Sequence, residues 1–294
     1  MTEKRVRPKD YNRLITTVIE EATKSDFQVK ILDTLVYGKD GYPFVLLKSE
    51  SRTAKYNAVI TAGAHGDEWW AVDCLIQSLS DLDKSLWNFW IFPVTNPFGW
   101  RYQSRETGNR AGSNWKVGER ETPELSLIFR NLPNKVALFI DLHGDADKTT
   151  VYAYERHVPG VESLAKYALN DVSSYFEIEK SRTVYKEPCR GGVVSSGAEG
   201  TLEEYFYEQK GTTYSITLEV PGRILGTGVN RIAGGARLLV STLTNFERAK
   251  GEGTKPKKEE DRKILVDNGG TVAMPTKDAA QPTQPHQEGG KGKR

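Results

Sequence analysis

Residues 57–79 read Asn-Ala-Val-Ile-Thr-Ala-Gly-Ala-His-Gly-Asp-Glu-Trp-Trp-Ala-Val-Asp-Cys-Leu-Ile-Gln-Ser-Leu, and within them stand His65 and Glu68. Positions 58–62 form a short apolar, β-branched run of the kind a buried strand needs, and from Asp67 onward apolar residues recur at helical intervals. The stretch therefore predicts a strand-to-helix junction carrying two side chains of metal-binding type. A separation of three residues across such a turn lets one imidazole nitrogen and one carboxylate converge on a single cation, with Gly63 and Gly66 giving the backbone room to bend. Zinc is the first candidate for that cation. A solvated turn is the plainer alternative for a His and a Glu so spaced.

Two further stretches strengthen the metal reading. Residues 136–144, Val-Ala-Leu-Phe-Ile-Asp-Leu-His-Gly, are another apolar run that ends on Asp141 and His143. Residues 214–222, Tyr-Ser-Ile-Thr-Leu-Glu-Val-Pro-Gly, alternate as a strand with Glu219 near its end. All three predicted strands deliver a polar group at the carboxyl end, and in open α/β sheets that edge is where ligands bind.

The rest of the chain bounds the answer. At 294 residues with 37% hydrophobic content, it is long enough for one large α/β domain or two small ones with a real core. Its 41 basic and 39 acidic residues leave a net charge of +2, which gives no global field to attract nucleic acid or an anionic membrane. No apolar run has the length of a secretory signal core or a membrane span, and the only cysteines, Cys74 and Cys189, lie far apart. These features lead to the expectation of a cytoplasmic protein in a reducing compartment, with Cys74 a buried apolar thiol on the helix after Glu68.

In chain order, residues 10–24 have the spacing of an amphipathic helix, and 27–36 and 42–48 alternate as the strands of a hairpin around Gly38 and Gly41. Residues 86–95 read as a strand that ends in Asn96-Pro-Phe-Gly99 at the same sheet edge. The segment 100–123 has no clean period, and its Arg101, Arg105, Arg110 and Lys116 suggest an anion-binding loop. Helices are expected at 126–132, 161–176, 201–207 and 231–246, a strand at 151–154, and a mobile Gly/Ser-rich loop at 188–200. His157 follows Glu155-Arg156 in a polar stretch and reads as a surface residue. From 251 to 294 the composition turns to Gly, Lys, Glu, Pro and Gln, too poor in large apolar residues to fold, so 1–250 is expected to be the domain and 251–294 a disordered tail that contains His286.

The order His65-Gly-Asp-Glu68, Asn96-Pro-Phe-Gly99, Asp141-Leu-His143 and Thr217-Leu-Glu219 resembles the zinc carboxypeptidase family, and also its bacterial relatives that cut acyl-amino acids or cell-wall peptides. The resemblance spans roughly residues 57–222. It implies a single α/β domain built on a mixed, mostly parallel eight-stranded sheet with helices on both faces. It further implies one zinc ion per chain on His65, Glu68 and His143, with a fourth position open to water, and Glu219 as the general base. Asp141 would orient an imidazole.

By the same resemblance Arg105 polarises the scissile carbonyl. The family's Asn-Arg clamp on the substrate carboxylate has two candidate registers here: Asn109-Arg110, or Asn114 with Trp115 where many relatives have the Arg. The loop tyrosine common in digestive-type members has no counterpart in residues 193–199, and Tyr185 and Tyr205 read as packing residues. The implied function is a zinc-dependent hydrolase that cleaves a C-terminal amide bond by a metal-activated water. Its substrate is a peptide or acyl-amino acid with a free carboxylate, with no nucleic-acid or membrane partner and with the oligomeric state open. Alternatives are an amidase of acyl-amino acids or cell-wall peptide fragments, and a binding protein that keeps the fold without the activity.

Overall fold

The computed structural model describes residues 8–108, 122–195, 199–223 and 230–252, all within one compact unit that spans Met1–Thr254. The chain opens with α1 (Tyr11–Lys24), whose amide at Arg13 is capped by the Asp10 carboxylate and whose Leu14, Ile15, Val18 and Ala22 form the buried stripe. Strands β1 (Gln28–Tyr37) and β2 (Asp40–Ser49) follow as an antiparallel hairpin, with Gly38 at φ +67° in the connection. Next come β3 (Tyr56–Ala62), α2 (Trp69–Ser78), β4 (Trp87–Phe92), α3 (Pro97–Tyr102) and α4 (Pro123–Arg130). Then β5 (Leu138–Asp145), β6 (Thr150–His157), α5 (Leu164–Asp171) and the short strands β7 (Glu177–Ile178), β8 (Thr183–Val184), β9 (Glu187–Arg190) and β10 (Val193–Val194). The chain continues through α6 (Leu202–Glu208), β11 (Tyr214–Pro221), α7 (Arg231–Thr244) and α8 (Phe246–Glu252).

The strands form one mixed sheet in the order β1-β2-β4-β3-β5-β11-β6-β10-β9-β8, with β7 pairing to β6. Its body runs from β1 to β10 along this path, and four of the seven pairings in that body are parallel: β3 with β4, β3 with β5, β5 with β11, and β6 with β10. The eight strands expected are this body, and the β8–β9 hairpin extends it. Near-continuous burial along β3 and β5 is what a central parallel strand covered on both faces requires. On one face Trp70 of α2 donates its indole N–H to the Val220 carbonyl, and Gly235 lets α7 approach the Cys74 thiol so closely that a Cβ there would lie 2.3 Å from the sulfur. Cys74 is thus a buried packing residue, as expected. On the opposite face Phe206 of α6 stacks on Phe139 of β5 at 4.0 Å between centroids.

Several expectations need correction. The segment 188–200 is not a loop throughout, because β9 runs to Arg190 and β10 is Val193–Val194, with Gly191 and Gly192 turning between them. The helix expected over 161–176 is shorter: the Ser163 side chain caps it at the Lys166 amide, and its last residue is Asp171. The last helix is two, broken at Asn245, and α8 runs to Glu252. Residues 253–294 lie outside the described residues. No helix among the described residues is long and apolar enough to cross a membrane.

Beneath the upper edge of the sheet, Glu203 of α6 is buried against Arg156 of β6 (Nε to Oε1, 3.3 Å) and accepts from Thr217 of β11. Burial pushes its carboxyl up to about 7 in spite of Arg156. The folded state therefore keeps this proton to higher pH than the unfolded chain, so the contribution to stability is full below the ordinary value of 4.5 and is lost as pH rises through 7. The loss amounts to at most about 3 kcal/mol. Thermal unfolding of the parent should therefore fall more steeply between pH 5 and 7.5 than that of Glu203→Gln, and parallel curves would contradict the assignment.

Candidate active site

The turn after β3 carries His65, and its shape is fixed from outside. Asn96, at the start of α3, donates its side-chain amide to the carbonyls of Ala64 (3.1 Å) and Glu106 (3.2 Å) and accepts from the Gly99 amide (2.9 Å). One buried side chain thereby ties together the His65 turn, α3 and the segment that carries Arg105. The Gly66 amide donates to the Ser104 carbonyl, and a Cβ on Gly66 would lie 1.8 Å from the Gly99 carbonyl carbon. The motif Asn96-Pro-Phe-Gly99, read in sequence as a turn at the sheet edge, is a clamp on the metal-type turn.

His65 Nδ1 lies 2.8 Å from Glu68 Oε1, and His143 Nδ1 lies 3.2 Å from Glu68 Oε2. The Gly144 amide donates to Glu68 Oε2 at 3.0 Å, and Arg105 donates to Oε1. Candidate ligand atoms of His65, Glu68 and His143 all fall within 4.8 Å of one another. The other nitrogen of His143, Nε2, faces Asp141 Oδ2 at 3.0 Å, and Asp141 Oδ1 accepts from Thr61 at 2.7 Å. Asp141 thus occupies the orienting position expected of it.

The electrostatics of the cluster fit a cation. Burial works to raise the Glu68 carboxyl, but hydrogen bonds from His143 and His65 hold it well below the usual carboxylate range. Burial works to lower the His143 imidazole, and the carboxylates of Asp141 and Glu68 hold it well above the usual histidine range. Buried carboxylates between two imidazoles require positive charge in their midst. A divalent cation between two unprotonated Nδ1 atoms and the Glu68 carboxylate would supply it.

Sheet register places Glu219 beside this cluster. Parallel pairing sets it opposite His143, and antiparallel pairing sets it opposite Tyr152. Burial, with further contributions from Glu68, Asp145 and Asp141, pushes its carboxyl up to about 8 against the attraction of His143. Arg105 reaches the site, where its guanidinium is shared between Asp67 (3.3 Å) and Glu68. Arg101 is ion-paired to Asp40 at 3.0 Å. Asn109, Arg110 and Asn114, with Trp115 and Lys116, lie outside the described residues. His157, at the end of β6, turns its Nδ1 toward the Val158 carbonyl.

One group at the site went unread in the sequence. Asp145, two residues past His143, accepts at Oδ2 from the hydroxyls of both Tyr152 and Tyr185, each at 2.8 Å. Tyr185 is 61% exposed and is no packing residue, whereas Tyr205 packs against Phe129, ring centroids 4.6 Å apart and tilted by 36°. Tyr185 and Lys186 are the two-residue turn of the β8–β9 hairpin, with φ of +48° and +75°. Such turns favour Asn-Gly, and holding larger residues in that region costs on the order of 1 kcal/mol or more each.

No protein-family model and no curated protein sequence matches the chain. Solved structures do match. One from Shewanella amazonensis, described provisionally as a metallopeptidase, is similar at TM-score 0.67 and 22% identity, over 81% of this chain and 93% of that one. A metallo-carboxypeptidase from Burkholderia cenocepacia is similar at 0.63 and 20%, over 82% and 70%. A metallo-carboxypeptidase from Pseudomonas aeruginosa, in complex with (2-guanidinoethylmercapto)succinic acid, is similar at 0.61 and 17%, over 82% and 70%. The chain thus has the fold expected from its motifs, that of the metallo-carboxypeptidases.

The clamp gives a direct test. Gly66→Ala drives a methyl into backbone that cannot yield, and it should cost about 3 kcal/mol or more in denaturant unfolding. Gly251→Ala, with nothing within 4 Å of the new methyl, should leave stability unchanged.

Proposed function

We propose that the protein is a zinc-dependent hydrolase of the carboxypeptidase type, releasing the terminal residue from a peptide or acyl-amino acid that bears a free carboxylate. The observation that carries this reading is the convergence of His65, Glu68 and His143, with Glu219 set beside His143 on the same sheet face. The fold shared with metallo-carboxypeptidases supports it. One zinc ion per chain would be held by His65, Glu68 and His143, and its chemistry is that of a Lewis acid, which makes water nucleophilic near neutral pH and polarises a carbonyl.

The chain's own groups supply the rest. Glu219 takes the proton of the attacking water on a carboxylate oxygen and hands it to the leaving amine. Asp141 accepts from Nε2 of His143 and so leaves Nδ1 as the ligand atom. Arg105, half-exposed beside Glu68, turns a guanidinium N–H toward the carbonyl oxygen as negative charge develops there. Asn109, Arg110 and Asn114 are assigned to the terminal carboxylate, for which a guanidinium offers a planar two-pronged fork. The Pseudomonas neighbour's ligand, a succinic acid derivative, is itself a carboxylate.

Metal analysis of the purified protein should find one zinc per chain, and His143→Ala should abolish it. Glu219→Gln should keep zinc and fold while turnover falls about 10²–10⁴-fold. Turnover within about a factor of two of the parent, at equal zinc content, would reassign the base.

The carboxylate reading is tested separately. A free-acid peptide should be cleaved and its C-terminal amide spared, and Arg110→Ala should chiefly raise KM whereas Arg105→Ala lowers kcat. Equal cleavage of acid and amide would remove the carboxypeptidase assignment while leaving the hydrolytic chemistry in place.

A further inference from the structure

Strand β1 stands at one end of the sheet. Strand β2 pairs with one side of its backbone, and among the described residues no strand pairs with the other. About half of the N–H and C=O groups along its ten residues therefore face outward, and such an edge pairs with an extended chain unless something blunts it. Its side chains do not blunt it: β1 holds no proline, Ile31 is 56% exposed and Val36 67%. The end of the strand is taken, because Tyr37 donates to Glu124 of α4 and lies so near Gly108 that a Cβ there would sit 2.1 Å from the ring. The free part is residues 28–35.

A bulge decides what that part can pair with. Between Ile31 and Asp33 the register against β2 slips by one, which makes Leu32 an extra residue. Lys30 lies opposite Leu46 and Asp33 opposite Phe44, two apart on β2, so Lys30 and Asp33 share a face of the sheet although they are three apart in sequence. Val29, Ile31 and Thr34, opposite Leu47, Val45 and Pro43, share the other face. Two copies of β1 paired antiparallel about a two-fold axis must set residues of one face against residues of that same face. An axis through Ile31, Leu32 or Asp33 fails this test, since each sets Asp33 or Leu35 against a residue of the opposite face. An axis between Ile31 and Leu32 passes it on both sides of the bulge. Lys30 then meets Asp33 of the second copy, both exposed, Ile31 meets Leu32 and Val29 meets Thr34. An axis one step on, between Leu32 and Asp33, would set Lys30 against Leu35 and Ile31 against Thr34, so charge and apolar contact both select the first.

We propose that β1 is a homodimer interface, at which two copies of this chain join their sheets by antiparallel pairing of residues 28–35 about a two-fold axis between Ile31 and Leu32. Symmetry forms the Lys30–Asp33 pair twice, and Ile31 leaves water for Leu32 of the second copy. The assembly closes at two. Pairing consumes this edge in both copies, and the far end of the sheet path, β8, is only the two residues Thr183–Val184. Strands β2, β4 and β3 separate β1 from β5 and its His143, so the interface stands apart from the candidate active site and does not depend on the proposed activity.

Sedimentation equilibrium of the full-length chain across the micromolar range tests this with a charge swap. The parent should fit a monomer–dimer equilibrium with no larger species. Asp33→Lys turns both cross-strand pairs from attraction to repulsion and should raise the dimer dissociation constant about tenfold. Adding Lys30→Asp to Asp33→Lys restores opposite charges across the axis with their signs exchanged, and the dissociation constant should return to within about a factor of three of the parent's. The double variant carries the same change at position 33, so its recovery also shows that the single variant folds. A parent that stays monomeric throughout would overturn the proposal. So would a dimer indifferent to Asp33→Lys, which would place the contact elsewhere on the molecule, or a loss that the second substitution does not repair, which would mean that residues 30 and 33 do not face each other across the axis.

Discussion

A carboxylate stays charged in a protein interior only if its surroundings return what water gave it, and the candidate site is arranged to do this for Glu68. Its two oxygens face His65, His143, the Gly144 amide and Arg105. Glu68 occupies the capping position of α2 but makes no capping bond with its side chain. A good cap is worth about 1 kcal/mol, so the helix forgoes that much in favour of the cluster. The demand spreads outward. Gly144 must approach Glu68 with its backbone, and a Cβ there would lie 2.2 Å from the Trp70 indole nitrogen. The same crowding fixes Gly66 against Gly99 on the other side.

Sheet register turns this local demand into a site. Because side chains alternate along a strand, Phe139, Asp141 and His143 share a face of β5, and parallel pairing sets Ser215, Thr217 and Glu219 opposite them. The bottom row is sealed by Phe206 on Phe139, and the middle row by hydroxyl and carboxylate contacts of Thr61, Asp141 and Thr217. The top row holds His143 with Glu219, and Tyr152 lies buried beside them. The Glu219 carboxyl is raised by burial among other carboxylates, yet its distance from His143 is set by backbone hydrogen bonds, the stiffest ruler the protein has.

This explains which parts were legible in the sequence. His65, Glu68, His143 and Glu219 each sit at the end of an apolar run, and a strand announces its end residue without help from the rest of the chain. The antiparallel β1–β2 edge was equally plain from its glycines. Tyr152 was invisible as a site residue because its place depends on β6 returning beside β11, a pairing of distant segments. Tyr185 was hidden by turn chemistry: Tyr-Lys at the tip gives no hairpin signal where Asn-Gly would have, and Gly191-Gly192 drew the eye to a loop. The work of Asn96 was obscured for a third reason, since it joins three segments and only the fold brings them together.

The division between sheet and loops also separates what the fold fixes from what its connections are free to vary. His143, Glu219 and Tyr152 stand on strands whose register cannot slip by one residue without turning every side chain to the other face. Arg105 and Tyr185 come from connections, and each is held by a carboxylate of the site: Arg105 by Asp67 and Glu68, Tyr185 by Asp145. These tethers have different consequences. Arg105 has five N–H donors, so it can meet a new oxygen without surrendering Glu68. Tyr185 has one, already given to Asp145. Side chains fastened to carboxylates of the candidate site are therefore placed with the precision of the sheet, while their identity stays free to vary with the loops that bear them.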